Sequence, residues 1–228
     1  EPADAVIQAY DDALAIDANN AEALAGLLEY ARATGRYESV IGAFSNARET
    51  AGNVEALCEA YERLEEWEQL IDAQRRRVAL LTDRRAKVEL SLVIAQLCED
   101  RLDDRTQAVI GYRATLEFDK SNRPALDALR RLLEEGEDWK GLAEAIEDEL
   151  RVVPEGPSAI ELRVELLRQL ADLHQTRLDQ PDEACDALER VLQAKPGDAN
   201  VVQTLDELYT QLGRSQDLLR IKGGGSSS

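Results

Sequence analysis

Residues 181–213 read PDEACDALERVLQAKPGDANVVQTLDELYTQLG, and this stretch decides the fold. Its apolar side chains recur at helical spacing on two faces, formed by Ala184, Leu188, Val191 and Leu192 and by Val202, Leu205, Leu208 and Tyr209. Between these faces, Pro196 and Gly197 end the first helix, and Asp198 can cap the second. The pattern predicts two antiparallel helices, and a pair this short needs further pairs stacked beside it to bury its apolar faces.

The stretch resembles the tetratricopeptide repeat, a helix–turn–helix unit of about 34 residues. Ala184 matches the small position of the repeat's second helix, Pro196 matches its closing proline, and Gly213 matches its turn glycine. Asp206 departs from the pattern, because the family usually has a small residue there. The resemblance implies an all-α fold, a right-handed α-solenoid of about 13 helices in stacked antiparallel pairs.

Helical patterns of the same kind cover the rest of the chain. We predict a helix over residues 3–17, helix pairs over 21–50, 53–81, 83–118 and 122–152, a long helix over 158–178, and a last helix to about Ile221. Together they form one domain over residues 1–222, with about five full pairs and incomplete end helices, and residues 223–228 are a linker or tag remnant. Because the chain has no methionine and an unpaired helix at each end, we expect a fragment of a larger bacterial protein.

A second level of repetition links the two long helices. Val88-Glu-Leu90 recurs 76 residues later as Val164-Glu-Leu166, and Ala95–Asp103 recurs at the same offset as Ala171–Asp179. The sequence therefore predicts a duplicated unit of four helices, with one long pair and one shorter pair.

Charge and composition limit the classes of partner. The net charge is −19 and the isoelectric point is near 4.5, so the surface repels nucleic acid and anionic membranes. No apolar run approaches the roughly 18 residues that a membrane span requires. The charge favours a basic protein or peptide as partner, although charge of this kind also serves simply to keep a solenoid soluble.

No motif for catalysis or cofactor binding is present. His174 is the only histidine, so neither a catalytic triad nor a zinc site can be built around it, and there is no glycine-rich phosphate-binding loop. The three cysteines, Cys58, Cys98 and Cys185, are scattered, which predicts buried thiols and a reducing, cytoplasmic compartment. We therefore expect no enzymatic activity, no metal and no cofactor.

Two features have open interpretations. Trp67 and Trp139 begin second helices at the position of Tyr37, and they are either packing residues or ligand contacts. A basic cluster either compensates helix ends or contacts an acidic partner, and it comprises Arg75, Arg76, Arg77, Arg84, Arg85 and Lys87.

The resemblance also implies a binding groove. In the family, the first helix of each pair lines the concave face, and certain positions on it point into the groove. The matching positions here are mostly acidic: Glu22, Glu29, Arg32, Glu55, Glu59, Glu62, Glu89, Glu99, Asp127, Arg131, Glu134, Glu165, Arg168, Asp172, Gln203 and Glu207. Family members that clamp the terminal carboxylate of chaperones have Lys, Arg and Asn at these positions, so the sequence argues against that role.

Two hypotheses about function follow. The first is a non-catalytic scaffold that binds a protein or peptide segment, net basic, along the acidic groove. The second is a structural spacer or self-association module within a larger protein, with homo-oligomers formed through the exposed end helices.

Overall fold

The structure, a computed structural model, describes residues 2–217 and 219. These residues contain no β-strand and confirm the predicted all-α fold. Their helices are α1 (Pro2–Ile16), α2 (Ala21–Thr34), α3 (Glu38–Asn46), α4 (Ala51–Arg63), α5 (Trp67–Leu80), α6 (Arg84–Asp100), α7 (Arg105–Phe118), α8 (Arg123–Glu135), α9 (Trp139–Val152), a short 3-10 helix (Pro157–Ala159), α10 (Ile160–Thr176), α11 (Pro181–Ala194) and α12 (Ala199–Leu212). The last predicted helix, to about Ile221, extends beyond the described residues.

Polar side chains cap the first turns of many helices. Asn20, Asp83 and Asp104 each accept a hydrogen bond of 3.0 Å from the backbone N–H three residues further on. Asp198 accepts the corresponding bond from Val201 at 3.3 Å, as the sequence predicts. These side chains satisfy N–H groups that have no partner within a helix, and this fixes where each helix begins.

The turn inside each helix pair contains one residue in the left-handed region. Two of these residues are Gly35 and Gly213, with φ of 79° and 70°. The other four are acidic residues with φ between 50° and 57°: Glu65, Asp103, Glu137 and Asp179. The six turns therefore share one backbone conformation, although only two of them have glycine, the residue that adopts a positive φ most easily.

The chain forms two compact units that divide between Asp119 and Lys120. In the first unit, α1 to α7 pack against one another in chain order around buried residues such as Leu27, Val40 and Leu57. The first helix carries apolar residues at helical spacing, which predicts that they are buried, but this is wrong for Ile16, which is 90% exposed. This residue is the last of α1, where no other helix of the unit covers it.

In the second unit, α8 to α12 also pack in chain order, and the long pair repeats that of the first unit. Helix α10 begins and ends 76 residues after α6, and α11 does so relative to α7. The short pair α8 and α9 lies 72 residues after α4 and α5. The duplication read from the sequence is thus present in the helices themselves, while the single domain over 1–222 stays a prediction.

Candidate functional site

A cleft of about 570 Å³ opens on the second unit. We call it the α8–α10 cleft. Its walls come from the first helices of two successive pairs, α8 and α10, and its floor comes from α9. The lining residues are Asp127, Arg130, Arg131, Glu134, Trp139, Leu142, Ile146, Gln169, Asp172, Leu173 and Arg177.

The floor is apolar because α9 turns its packing face toward both walls. Leu142 and Ile146 are buried on α9, and Leu173 is buried on α10. Trp139 begins α9 and is half-buried, with the guanidinium of Arg177 4.7 Å from its ring centroid. Trp139 therefore packs against Arg177 and also forms part of the cleft surface, so both interpretations of this residue stay open.

Arg130 is held by side chains of the two neighbouring helices. Its guanidinium donates to Oε2 of Glu149 at 3.2 Å and also bonds to Gln169 on α10. Glu149 is 1% exposed, and its carboxylate also accepts a hydrogen bond from the guanidinium of Arg123. This network joins α8, α9 and α10, and it leaves the Arg130 charge compensated inside the protein rather than offered to a ligand.

The charged residues on the walls differ in whether an ion-pair partner compensates them. Arg131 pairs with Glu135 at 3.2 Å, and Asp127 lies 3.4 Å from Arg123. Glu134 and Asp172 are exposed, and neither carboxylate has a hydrogen-bond or ion-pair partner among the described residues. A ligand entering the cleft therefore meets uncompensated negative charge above an apolar floor.

A second group of predicted groove residues meets in the first unit, between α2 and α4. Arg32 makes a bidentate pair with Glu59, at 2.6 Å and 2.8 Å, and the Tyr37 hydroxyl donates to Glu59 at 3.1 Å. The guanidinium of Arg32 lowers the pKa of Glu59, while burial and the Glu59 contact raise the pKa of Tyr37. With Gly35 and Arg63 these side chains line a cleft of about 480 Å³.

Other predicted groove residues are engaged within the protein. Glu55 pairs with Arg77 at 2.6 Å, and Glu99 accepts from Tyr112 at 2.8 Å, so both face the second helix of their own pair. Partners four residues away on the same helix hold the side chains of Glu89, Glu165, Gln203 and Glu207, and Arg168 donates to the Asp198 carboxylate at the start of α12. Glu22, Glu29 and Glu62 are exposed on their helices. Whether any of these residues binds a partner stays a prediction.

The sequence analysis missed Arg130, Gln169 and Arg177 as lining residues. One signal could have found Arg177. It lies 76 residues after Arg101, whose guanidinium is 4.8 Å from the ring centroid of Trp67 in the first unit. The aromatic–arginine contact is thus duplicated along with the helices. Arg130 has no such precedent, since Cys58 stands at its position in the first unit.

The basic cluster is used inside the first unit. Arg75 donates to Gln107 at 2.7 Å, Arg76 pairs with Glu49 at 2.7 Å, and Arg84 donates to the carbonyl oxygen of Phe118 at 2.6 Å. Arg77 and Arg85 pair with glutamates, and Lys87 lies 5.5 Å from the Phe118 ring centroid. Only the contact of Arg84 with the last carbonyl of α7 compensates a helix end as predicted, and the other side chains are held by side-chain contacts within the first unit.

The remaining candidates for chemistry are structural as well. Nδ1 of His174 lies 2.9 Å from Oε1 of Gln180, in the turn after α10. The three cysteines are buried and free, and burial raises the pKa of each thiol. Within the described part of the chain, no three His, Cys, Asp or Glu residues are placed to hold a metal ion. No helix in that part is long and apolar enough to cross a membrane.

Comparison with known proteins identifies the fold. A chain in a structure of Naa15/Naa10 bound to HypK-THB matches over 94% of this chain, with a TM-score of 0.52 and 13% identity. The fold is that of a tetratricopeptide-repeat protein. This chain spans 32% of that larger chain.

Two further matches have lower TM-scores. A crystal structure of MamA covers 76% of this chain and is itself covered to 88%, with a TM-score of 0.37 and 13% identity. The C-terminal part of a TPR repeat-containing protein from Cytophaga hutchinsonii covers 96% and is covered to 80%, with a TM-score of 0.40 and 11% identity. No protein-family model matches the sequence, and comparison with curated proteins gives no match either.

Proposed function

We propose that this tetratricopeptide-repeat chain is a non-catalytic protein-interaction scaffold, and that its α8–α10 cleft holds a net-basic peptide segment. The observation that carries the proposal is the pairing of an apolar floor with two unpartnered wall carboxylates. The half-buried ring of Trp139 offers apolar surface, and Glu134 and Asp172 offer negative charge. A peptide that alternates apolar and basic side chains matches both features.

The carboxylates set the preference for charge. A Lys or Arg side chain placed between Glu134 and Asp172 gains charge-assisted hydrogen bonds without displacing an existing ion pair. An acidic side chain gains little at Arg130 and Arg131, which are paired with Glu149 and Glu135. Arg177 packs against Trp139 but has no carboxylate partner among the described residues. Two unpaired carboxylates against one such cation give a balance of charge that favours a basic ligand.

The test is a titration of labelled peptides that share an apolar spacing and differ only in having Lys, Gln or Glu at the remaining positions. Binding should be strongest for the Lys peptide and should weaken between low and high salt, because both wall carboxylates are exposed. Exposed charge pairs contribute up to about 1 kcal/mol each, so Glu134→Gln with Asp172→Asn should weaken binding about tenfold.

A matched control removes the same charge elsewhere. Glu144 on α9 and Glu183 on α11 are exposed and lie outside the cleft lining, so Glu144→Gln with Glu183→Gln should leave the affinity within about twofold at fixed salt. Equal weakening by both double variants, salt-insensitive binding, or a preference for the Glu peptide would count against the proposal.

A further inference from the structure

The second unit has another cleft, of about 450 Å³, at the opposite end of α10. We call it the α10–α11 cleft. Its apolar lining comes from Pro157, Ile160, Leu167 and Ala194, and its polar lining residues are Glu155, Arg163, Arg190 and Gln193. Leu167 is 1% exposed, so the floor of the cleft is part of the core of the unit.

In the first unit, the corresponding positions hold an aromatic side chain beside a cation. Phe118 is the last residue of α7, and the last residue of α11, 76 positions later, is Ala194. Lys87, the fourth residue of α6, lies 5.5 Å from the Phe118 ring centroid, and the fourth residue of α10 is Arg163. The second unit thus keeps the cation and lacks the aromatic ring.

A second departure from the duplication lies at the same place. Three residues, 81–83, connect α5 to α6, but seven residues, 153–159, connect α9 to α10. The first unit folds without this extra length, and in the second unit the longer connection supplies Gly156 and Pro157 to the rim of the cleft. It also positions the cation, since Arg163 donates to the carbonyl oxygen of Val153 at 2.8 Å.

We propose that the α10–α11 cleft is a docking site for an aromatic side chain of a partner protein, which enters the place that Phe118 occupies in the first unit. The ring rests on Ile160 and Leu167, and Arg163 lies beside its face as Lys87 does beside Phe118. This site shares no lining residue with the α8–α10 cleft, so it stands independently of the peptide binding proposed above.

The test uses N-acetylphenylalaninamide as the probe, with methyl NMR signals of Ile160 and Leu167 as reporters. Binding of a group this small should be in the millimolar range, because it has few atoms with which to gain affinity. The aliphatic analogue N-acetylcyclohexylalaninamide should bind about threefold more weakly, since it lacks the aromatic face that attracts Arg163.

Two variants and a control complete the experiment. Ala194→Phe restores the arrangement of the first unit, so it should raise the melting temperature and abolish the probe-induced shifts. Asp186→Phe adds the same ring to an exposed position of α11 outside the cleft, and it should leave the shifts in place. Arg163→Gln leaves the cleft open and should remove the preference for the aromatic probe.

Probe-induced shifts at both reporters, lost in Ala194→Phe and kept in Asp186→Phe, support the site. The proposal is overturned if the reporters do not respond, if Ala194→Phe leaves the response unchanged, or if the aliphatic probe binds as well as the aromatic one.

Discussion

Glu149 should be the polar residue whose loss most destabilises the second unit. Its carboxylate is 1% exposed and compensates two cations, Arg123 and Arg130, from a position on α9. Replacing it with glutamine keeps the volume and removes the charge. The substitution therefore tests the ion network without opening a cavity in the core.

The magnitude follows from the exposure of the two arginines. Removing one partner of a fully buried pair costs about 3–5 kcal/mol, because the other charge stays uncompensated. The side chain of Arg123 is 51% exposed and can return to water, whereas that of Arg130 is 22% exposed and bonded to Gln169. We therefore expect Glu149→Gln to lower the free energy of unfolding by about 2–3 kcal/mol, which is at or just below the lower limit for a fully buried pair.

The assay is urea unfolding followed by far-ultraviolet circular dichroism and by tryptophan fluorescence. If the two signals give the same unfolding curve, unfolding is a single transition and its free energy is well defined. Glu144→Gln is the matched control, since Glu144 is exposed on the same helix and should change stability by at most about 0.5 kcal/mol. The double variant Arg130→Met with Glu149→Leu should recover much of the loss, because it removes both buried charges.

Two results would refute this reasoning. If Glu149→Gln changed stability no more than Glu144→Gln, the network would not hold the three helices together. If the double variant were less stable than Glu149→Gln alone, the cost would come from lost contacts of Arg130 rather than from an uncompensated charge.

Three further predictions concern packing, pH and thiol chemistry. Gly111→Ala should destabilise the protein by about 1–3 kcal/mol, because the added Cβ would lie 2.8 Å from Cα of Ala95. The Cβ added by Gly42→Ala meets nothing within 4 Å, so this change should stabilise its helix by about 0.5–1 kcal/mol. Thermal melts of both variants check these two effects. Glu59→Gln should lower the melting temperature at pH 7, and the difference from the unsubstituted protein should shrink as the pH falls below about 4.5. Arg32 lowers the pKa of Glu59 below its ordinary 4.5, and the stabilisation is lost as the pH falls through the lowered value. The three cysteines should react with a thiol reagent at pH 8 only after unfolding, because they are buried and burial raises two of their pKa values to about 11; rapid labelling of the native protein would contradict this.

The helices could be predicted because their apolar spacing and end signals are local. The long helix predicted over 158–178 spans Ile160–Thr176, preceded by a 3-10 turn, and the Asp198 cap forms as expected. The duplication was equally readable, since an offset of 76 residues needs no knowledge of packing. These features depend on residues near one another in the chain or on repetition of the same pattern.

The backbone conformation of the turns could be predicted from residue type only in part. Glycine at positions 35 and 213 predicts a residue in the left-handed region, but Glu137 and Asp179 adopt the same conformation although they are not glycines. Packing of the paired helices imposes it there, against a preference that costs non-glycine residues about 1 kcal/mol. A residue-by-residue reading could not distinguish these acids from others in solvent-exposed turns.

The candidate site could be predicted only in part. Position along the first helices located Asp127, Arg131, Glu134 and Asp172, which do line one cleft. Their neighbour Arg130 was missed, because its place in the cleft depends on Glu149, nineteen residues away on the next helix. Which acidic residues keep a free carboxylate likewise depends on tertiary ion pairs that no helical pattern contains.

The two tryptophans allow the most direct test of the central claim, since the chain has only Trp67 and Trp139 and each gives one indole N–H signal. Trp139 lines the α8–α10 cleft, and Trp67 lies in the first unit. On titration with the Lys peptide at low salt, we predict that the Trp139 signal moves and saturates while the Trp67 signal stays in place. An unmoved Trp139 signal, with the peptide bound, would contradict the account.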